Sequence, residues 1–276
     1  MQGSETSQKH GKPYWLSSEY AKEYIRNVKY STIRKVYDIV CKNIITRYLR
    51  DIEAGKCLDV GCGPGVYGLF ILEHKFSKEV IFLDINAYML KYVKSMLDKY
   101  YVFSHIIHAD INYMPFRSNV FDVVLAEGDS LTQRQDRESV AKGLNEICRI
   151  LKTKGLLLGS ISNMYSRIIA KTITMDSIEG INEVLEMIKN RELVVRKLGY
   201  EESKIQLYYV NEFKKLLEDI GFKNAKLNPL IVLTTTMPKG LIEKHFSRII
   251  ETELKLSHDP NLLPLALRIH FACNKA

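Results

Sequence analysis

No stretch of this 276-residue chain approaches the ~18 consecutive apolar residues that a membrane-spanning helix needs. The N-terminal stretch, with Gln2, Ser4, Glu5, Ser7 and Lys9, lacks the apolar core of a secretory signal, so a soluble, cytoplasmic protein is expected. Cysteine is scarce: Cys41, Cys57, Cys62, Cys148 and Cys273 are five in number and none sits at a Cys-x-x-Cys spacing. That spacing offers neither a disulfide framework nor a zinc site, and no metal is expected. There are no internal repeats and no low-complexity linkers. Acidic residues are fewer than basic ones, 32 against 40, which leaves a net charge of +8. With 46% apolar residues the chain can bury a full core and is not disordered.

The most informative stretch is Leu58-Asp59-Val60-Gly61-Cys62-Gly63-Pro64-Gly65, followed some twenty residues later by Asp84 at the end of a second apolar run. It describes a strand, a glycine turn, a helix start and a second strand tipped by a carboxylate, the way an α/β domain holds a nucleoside. A dinucleotide fingerprint would need glycine at position 66, where Val66 stands. Asp59, two residues before the turn, would oppose a pyrophosphate but favour a ligand bearing an ammonium and a sulfonium. The two features together favour a cationic nucleoside over NAD or FAD.

On these residues the chain resembles the class I S-adenosylmethionine (SAM)-dependent methyltransferases. Asp59 to Gly65 is similar to the family's first motif and Phe82-Leu83-Asp84-Ile85-Asn86 to its second-strand acidic motif. His108-Ala109-Asp110 with Met114-Pro115-Phe116 resembles the adenine-contacting loop. Phe121 to Glu127 resembles the fourth strand and its tip, and Arg149 to Leu157 the entry to the fifth. The resemblance implies an α/β fold: a three-layer Rossmann-like sheet, mostly parallel with an antiparallel last strand and helices on both faces.

Periodicity gives the organisation. Helices are expected over 17–29 and from Ser31 on, and strands over 56–60, 80–83, 102–108, 120–126 and 155–161. Past residue 162 an insertion (about 163–204) carries two helical stretches, 164–173 and 178–198. A helix ending at Gly221 then precedes a sixth strand (226–233), a second insertion (about 238–264) with one helix, and a last strand (266–273). Residues 1–50 read as a helical lid, and 51–276 as one methyltransferase domain with helical insertions after strands five and six.

The resemblance also implies roles. Gly61, Cys62, Gly63 and Gly65 let the backbone approach the methionine end of SAM, and Asp59 offsets its cationic charge. Asp84 accepts from both ribose hydroxyls, Asp110 and Ile111 meet the adenine edge, and Ile85 or Met89 packs on the purine. Ala126 and Glu127 stand where the strand meets the ligand, and Tyr20, with Tyr14, Trp15 and Tyr24, closes a lid over the cofactor. Catalysis is positioning more than acid–base work; the catalytic candidates are Glu127, which could orient the cofactor or attract an amine acceptor, and His108, which like His105 could serve as a general base, and Asp129 and Arg134 follow on the same loop as Glu127. Ala126-Glu127-Gly128-Asp129 replaces the Asn/Asp-Pro-Pro-aromatic tetrad of enzymes that methylate base amino groups. Methylation of adenine or cytosine amino groups by that route is therefore not expected, and a small-molecule acceptor is the expected substrate.

Charge supplies the rivals. The first fifty residues hold ten Lys/Arg against four Asp/Glu. Lys22, Arg26, Lys29, Arg34, Lys35, Lys42, Arg47 and Arg50, interleaved with tyrosines, are the makings of an RNA-binding face, and so of an RNA or protein methyltransferase. A non-catalytic SAM-binding protein is the third alternative.

Overall fold

The computed structural model describes residues 13–52, 54–100, 104–133, 136–195, 200 and 202–276. Two helices come first: α1 (Ser18–Tyr30), behind a 3-10 turn at Tyr14–Leu16, and α2 (Thr32–Leu49). Ser17 and Ser31 start them, their hydroxyls accepting from the backbone N–H groups of Tyr20 and Arg34. The alternating core follows: β1 (Ala54–Val60), α3 (Val66–Glu73), β2 (Ser77–Asp84), α4 (Ala87–Lys99), β3 (His105–His108), β4 (Phe121–Ala126), α5 (Arg137–Ile150) and β5 (Leu151–Ser162). Next are α6 (Met164–Ile173), α7 (Ile178–Asn190), β6 (Glu192–Val195), β7 (Ser203–Gln206), α8 (Val210–Ile220) and β8 (Phe222–Leu230). Then α9 (Lys239–Lys244), α10 (Phe246–Leu256), a 3-10 turn at Pro260–Leu265 and β9 (Arg268–Lys275) complete the order.

Seven strands form one sheet in the order β3-β2-β1-β4-β5-β9-β8. Five run parallel in succession, while β9 is antiparallel to both its neighbours, β5 and β8, as the sequence predicts for the last strand. Strand residues alternate between two cores. Cys57, Phe82, Val123, Leu125 and Leu158 face α2, α3, α4 and α10, whereas Leu58, Leu83, Val124 and Leu157 face α5 and α8. Burial on both faces is why these strands read as unbroken apolar runs.

Several boundaries differ from the sequence expectation. The lid expected over 1–50, of which 1–12 lie outside the described residues, divides in two. Val36, Val40, Cys41, Ile44, Ile45 and Leu49 bury α2 in the first core, so it is a layer helix; α1 buries only Ala21 and lies over the site. The helix expected over 178–198 stops at Asn190, because Arg191 takes a left-handed conformation (φ 59°), and residues after it pair as the β6–β7 hairpin. Four-residue strands leave too short an alternation to read, and 196–198 lie outside the described residues. The third strand begins at His105, with 102–103 likewise outside them. The second insertion holds two helices and a 3-10 turn, not one helix. The sixth strand starts four residues early, at Phe222, directly after Gly221 closes α8.

The loop after β8 is held by one buried carboxylate. Glu253 of α10 accepts from the backbone N–H groups of Val232, Leu233 and Thr234, each at 2.9 Å, and from the Thr234 hydroxyl at 3.0 Å. Glu253→Ala leaves these donors without a partner and should lower unfolding stability by about 2 kcal/mol; urea denaturation measures it, and an unchanged midpoint would refute the role.

Candidate functional site

The site lies at the carboxyl ends of β1, β2 and β4, where the chain order reverses between β1 and β4. The turn after β1 places Gly61 and Gly63 at φ 60° and 52°. A Cβ at Gly61 would come within 2.6 Å of the Ser130 Cβ, so the backbone there must approach the loop after β4 more closely than any side chain allows. Asp84 fixes the turn from the neighbouring strand. Its Oδ2 accepts from the Gly63 N–H and its Oδ1 from the Asn86 N–H, both at 2.7 Å. Asn86 in turn caps α4, accepting from Tyr88 and Met89, and donates to the Trp15 carbonyl, so one carboxylate ties the turn, α4 and the N-terminal segment together.

Asp59 is buried, and its Oδ2 accepts from the Gly68 N–H at 2.9 Å. Burial pushes its pKa up to about 8, with Glu127 and Asp84 adding to the rise and the Gly68 hydrogen bond opposing it. Gly68 is glycine for space: a Cβ there would meet Phe82 Cε1 at 2.3 Å and Asp59 Oδ2 at 2.9 Å. Cys62 lines the site, but burial and the nearby Asp84 and Asp59 hold its thiol far above the usual range, so it is not a reactive thiolate.

These residues line one cleft at the carboxyl edge of the sheet. Of the sequence-predicted set, Asp59, Gly61, Cys62, Gly63, Asp84, Ile85, Met89, Glu127 and Tyr20 line it, with Trp15 and Tyr24. Asp110 and Ile111 line a second cleft that shares Gly61, Asp84 and Ile85 with the first, so the two are continuous past Asp84. Asp110 holds its own loop by accepting from the Asn112 N–H at 2.8 Å. Three predicted residues lie elsewhere. Gly65 sits behind the turn, where it opens α3 and where a Cβ would lie 3.1 Å from Val93 Cγ2, and Ala126 is fully buried in β4. His108 is exposed on β3, an edge strand, with Nε2 2.8 Å from the Ile85 carbonyl, and it lines neither cleft; His105 is exposed on the same strand. Arg134 lies outside the described residues.

Of the far wall, sequence reasoning reaches Glu127 and Asp129 but misses the residues that pair with them. Arg34 of α2 lines the cleft, bonded through Nε to Asp38 (3.0 Å) and through Nη1 to the Tyr24 hydroxyl (3.1 Å). Asp38 also accepts from Tyr67 at 2.8 Å. Deeper, Asp129 accepts from Arg268 Nη2 (2.6 Å) and Nε (2.9 Å) and from the Ser162 hydroxyl (3.0 Å). Tyr37 lies between the Arg34 and Arg268 guanidiniums, 4.9 and 4.8 Å from its ring, and burial raises its phenol well above the usual range. Glu127 is also buried; burial would raise its pKa, but His270, Ser160 and Cys41 outweigh that and hold it below the usual carboxylate value. Arg34 and Arg268 thus have carboxylate partners within the wall. Only a signal linking residues 34, 127 and 268 across the chain could have found this wall, and no local spacing carries one.

The same contacts bear on the basic N-terminal face. Tyr20 and Tyr24 turn into the cleft and Tyr37 into the core, while Lys22, Arg26, Lys29 and Lys35 are exposed. Arg47 meets His258, and Lys42 sits over the Phe70 ring. The loop after β4 is tied to the first insertion, since the Gln206 N–H donates to the Thr132 carbonyl at 2.9 Å and Gln133 bridges Ile205.

Residues 57–155 match the family model of a methyltransferase domain. Over 204 residues the chain is 24% identical to an uncharacterised protein of Methanocaldococcus jannaschii, covering 70% of this chain and 74% of that one. It is 29% identical over 124 residues to an uncharacterised chloroplast methyltransferase of Arabidopsis thaliana, 43% of this chain and 34% of the other. Among solved structures, a SAM-dependent methyltransferase of Thermotoga maritima superposes with a TM-score of 0.57 at 16% identity, covering 95% of this chain and 98% of that one. One from Methanosarcina mazei superposes with a TM-score of 0.58 at 16% identity, over 84% and 96%. At such identities the likeness is one of fold.

Proposed function

We propose that this chain, whose residues 57–155 match a methyltransferase domain, is a class I SAM-dependent methyltransferase that transfers the methyl group of SAM to a small-molecule acceptor by in-line displacement. The observation that supports the acceptor class is the lining of the cleft: Trp15, Tyr20 and Tyr24 stand beside the glycine turn, and Arg34, Glu127 and Gly128 line the far side. A polymer needs an open groove beside the methyl group, whereas this wall suits an acceptor that enters whole.

The cleft's charge fits the donor. Asp59, Asp84 and Glu127 line it, and the guanidinium among its described lining residues, Arg34, is paired with Asp38. In this reading the Gly61–Gly63 backbone and Asp59 hold the methionine end of SAM, Asp84 takes the ribose hydroxyls, and the Asp110–Ile111 cleft receives the adenine. SAM supplies an electrophilic methyl on a positively charged sulfur. Displacement discharges that sulfur, so the protein's contribution is to hold nucleophile, methyl and sulfur in line and exclude water. Glu127, at the acceptor side, is the side chain placed to take a proton from a protic acceptor.

Methyl-labelled SAM incubated with the chain and a cell extract, then separated into small-molecule, RNA and protein fractions, tests this. Label is expected in the small-molecule fraction. Label confined to RNA or protein would overturn the acceptor class, and no transfer despite donor binding would leave a binding protein.

A further inference from the structure

Behind the cleft, three side chains from distant parts of the chain converge: Cys41 of α2, Glu127 after β4 and His270 of β9. Cys41 Sγ lies 3.4 Å from Glu127 Oε2, and His270 Nε2 lies 3.0 Å from Glu127 Oε1. One donor atom of each lies within 4.8 Å of the others. All are buried, Cys41 and His270 completely and Glu127 with 5% of its surface exposed.

The cluster is not a closed hydrogen-bond network. His270 Nε2 faces Glu127 Oε1 at 3.0 Å, an ion pair when the imidazole is protonated, while among the described residues its Nδ1 has no hydrogen-bond partner. Each buried polar atom left this way costs about 1–3 kcal/mol. Such a cost is offset if a further atom binds among the three. A thiol, an imidazole and a carboxylate are the donors of zinc-class ions, while magnesium and calcium take oxygen alone. Metal–ligand bonds of about 2.0–2.3 Å in a tetrahedron place donors roughly 3.3–3.8 Å apart; one donor atom of each residue already lies within 4.8 Å of the others, so modest side-chain rotation brings them to that spacing.

We propose that Cys41, Glu127 and His270 form a binding site for a zinc-class divalent metal ion. Cys41 binds as the thiolate and releases its proton to solvent, so thiolate and carboxylate together balance the ion's charge. Burial and Glu127 raise the Cys41 thiol well above its usual range without such an ion. Three protein ligands leave a fourth position for water or an acceptor atom. Since Glu127 also lines the cleft, the ion borders the acceptor side. Cysteine spacing conceals this site because its ligands are 86 and 143 positions apart.

Full-length protein stripped with a chelator and titrated with Co²⁺ alone tests the proposal. A thiolate-to-cobalt charge-transfer band in the near ultraviolet is expected, bleached by a single equivalent of Zn²⁺. Cys41→Ser should abolish the band, His270→Gln should weaken Zn²⁺ binding by more than about tenfold, and Cys148→Ser, far from the cluster, should change neither. Circular dichroism melts establish that each variant folds; if His270→Gln does not, Cys41→Ser carries the test, and if neither does, the native titration decides. Absence of the band and of saturable Zn²⁺ binding in the native chain would overturn the site, as would an undiminished band in Cys41→Ser.

Discussion

Asp84→Ala should weaken S-adenosylhomocysteine binding by about 100-fold or more in isothermal titration calorimetry. Its carboxylate already accepts two short backbone hydrogen bonds, from Gly63 and Asn86, which position the glycine turn and the start of α4. Alanine removes the acceptors proposed for the ribose and also leaves those two N–H groups unheld. Hydrogen bonds to a charged group contribute about 1.5–3 kcal/mol each, so a loss of ~3 kcal/mol, about two decades in affinity, is a conservative sum. Asp84→Asn keeps one acceptor oxygen without the charge and should fall between wild type and alanine. Affinity unchanged in Asp84→Ala would remove this carboxylate from the site.

SAM affinity should rise with pH from 6 to about 8, by up to about tenfold per unit. Asp59, with a pKa pushed up to about 8 by burial, is mostly protonated at pH 6. A ligand bearing a sulfonium and an ammonium favours its ionised form, so binding below pH 8 must expel a proton, at about 1.4 kcal/mol per pH unit. Above pH 8 the ligand's own amino group, with an ordinary pKa of about 7.7–8.0, loses its charge and affinity falls again. Folding follows the opposite sign. The unfolded carboxyl ionises near pH 3.9, whereas the folded one holds its proton to about pH 8, so Asp59 makes the ligand-free protein less stable as pH rises through that window. Thermal shifts produced by SAM should therefore grow with pH. Asp59→Asn should flatten the rising limb of the affinity profile; a flat profile in the native protein would contradict the role of Asp59.

How much of this was legible in the sequence depends on distance along the chain. The glycine turn, Asp84 and Asp110 are local signals: a strand, a turn and a carboxylate within a few residues, each fixed by backbone conformation. The parallel sheet was readable for the same reason, since strands buried on both faces show as apolar runs. The far wall was legible only at Glu127 and Asp129, beside the tip of strand four. Arg34, Glu127, Arg268 and His270 meet only because α2 packs on the sheet and β9 inserts beside β5, and pairings over more than ninety residues leave no spacing to read. The β6–β7 hairpin failed differently: its strands are too short to outweigh the helical pattern before them. His108 shows the limit of strand position alone, because the outermost place of β3 turns it to solvent.

Insertion of β9 between β5 and β8 has a consequence for biosynthesis. Both flanking strands are made before it, so a nascent chain halted ahead of Arg268 would present two unsatisfied sheet edges, the kind of surface on which chains aggregate. It would also leave Asp129 without Arg268 and Glu127 without His270. Maturation of the wall proposed to face the acceptor thus waits on a single late strand, while the glycine turn between β1 and β2 can close earlier, from residues adjacent in synthesis.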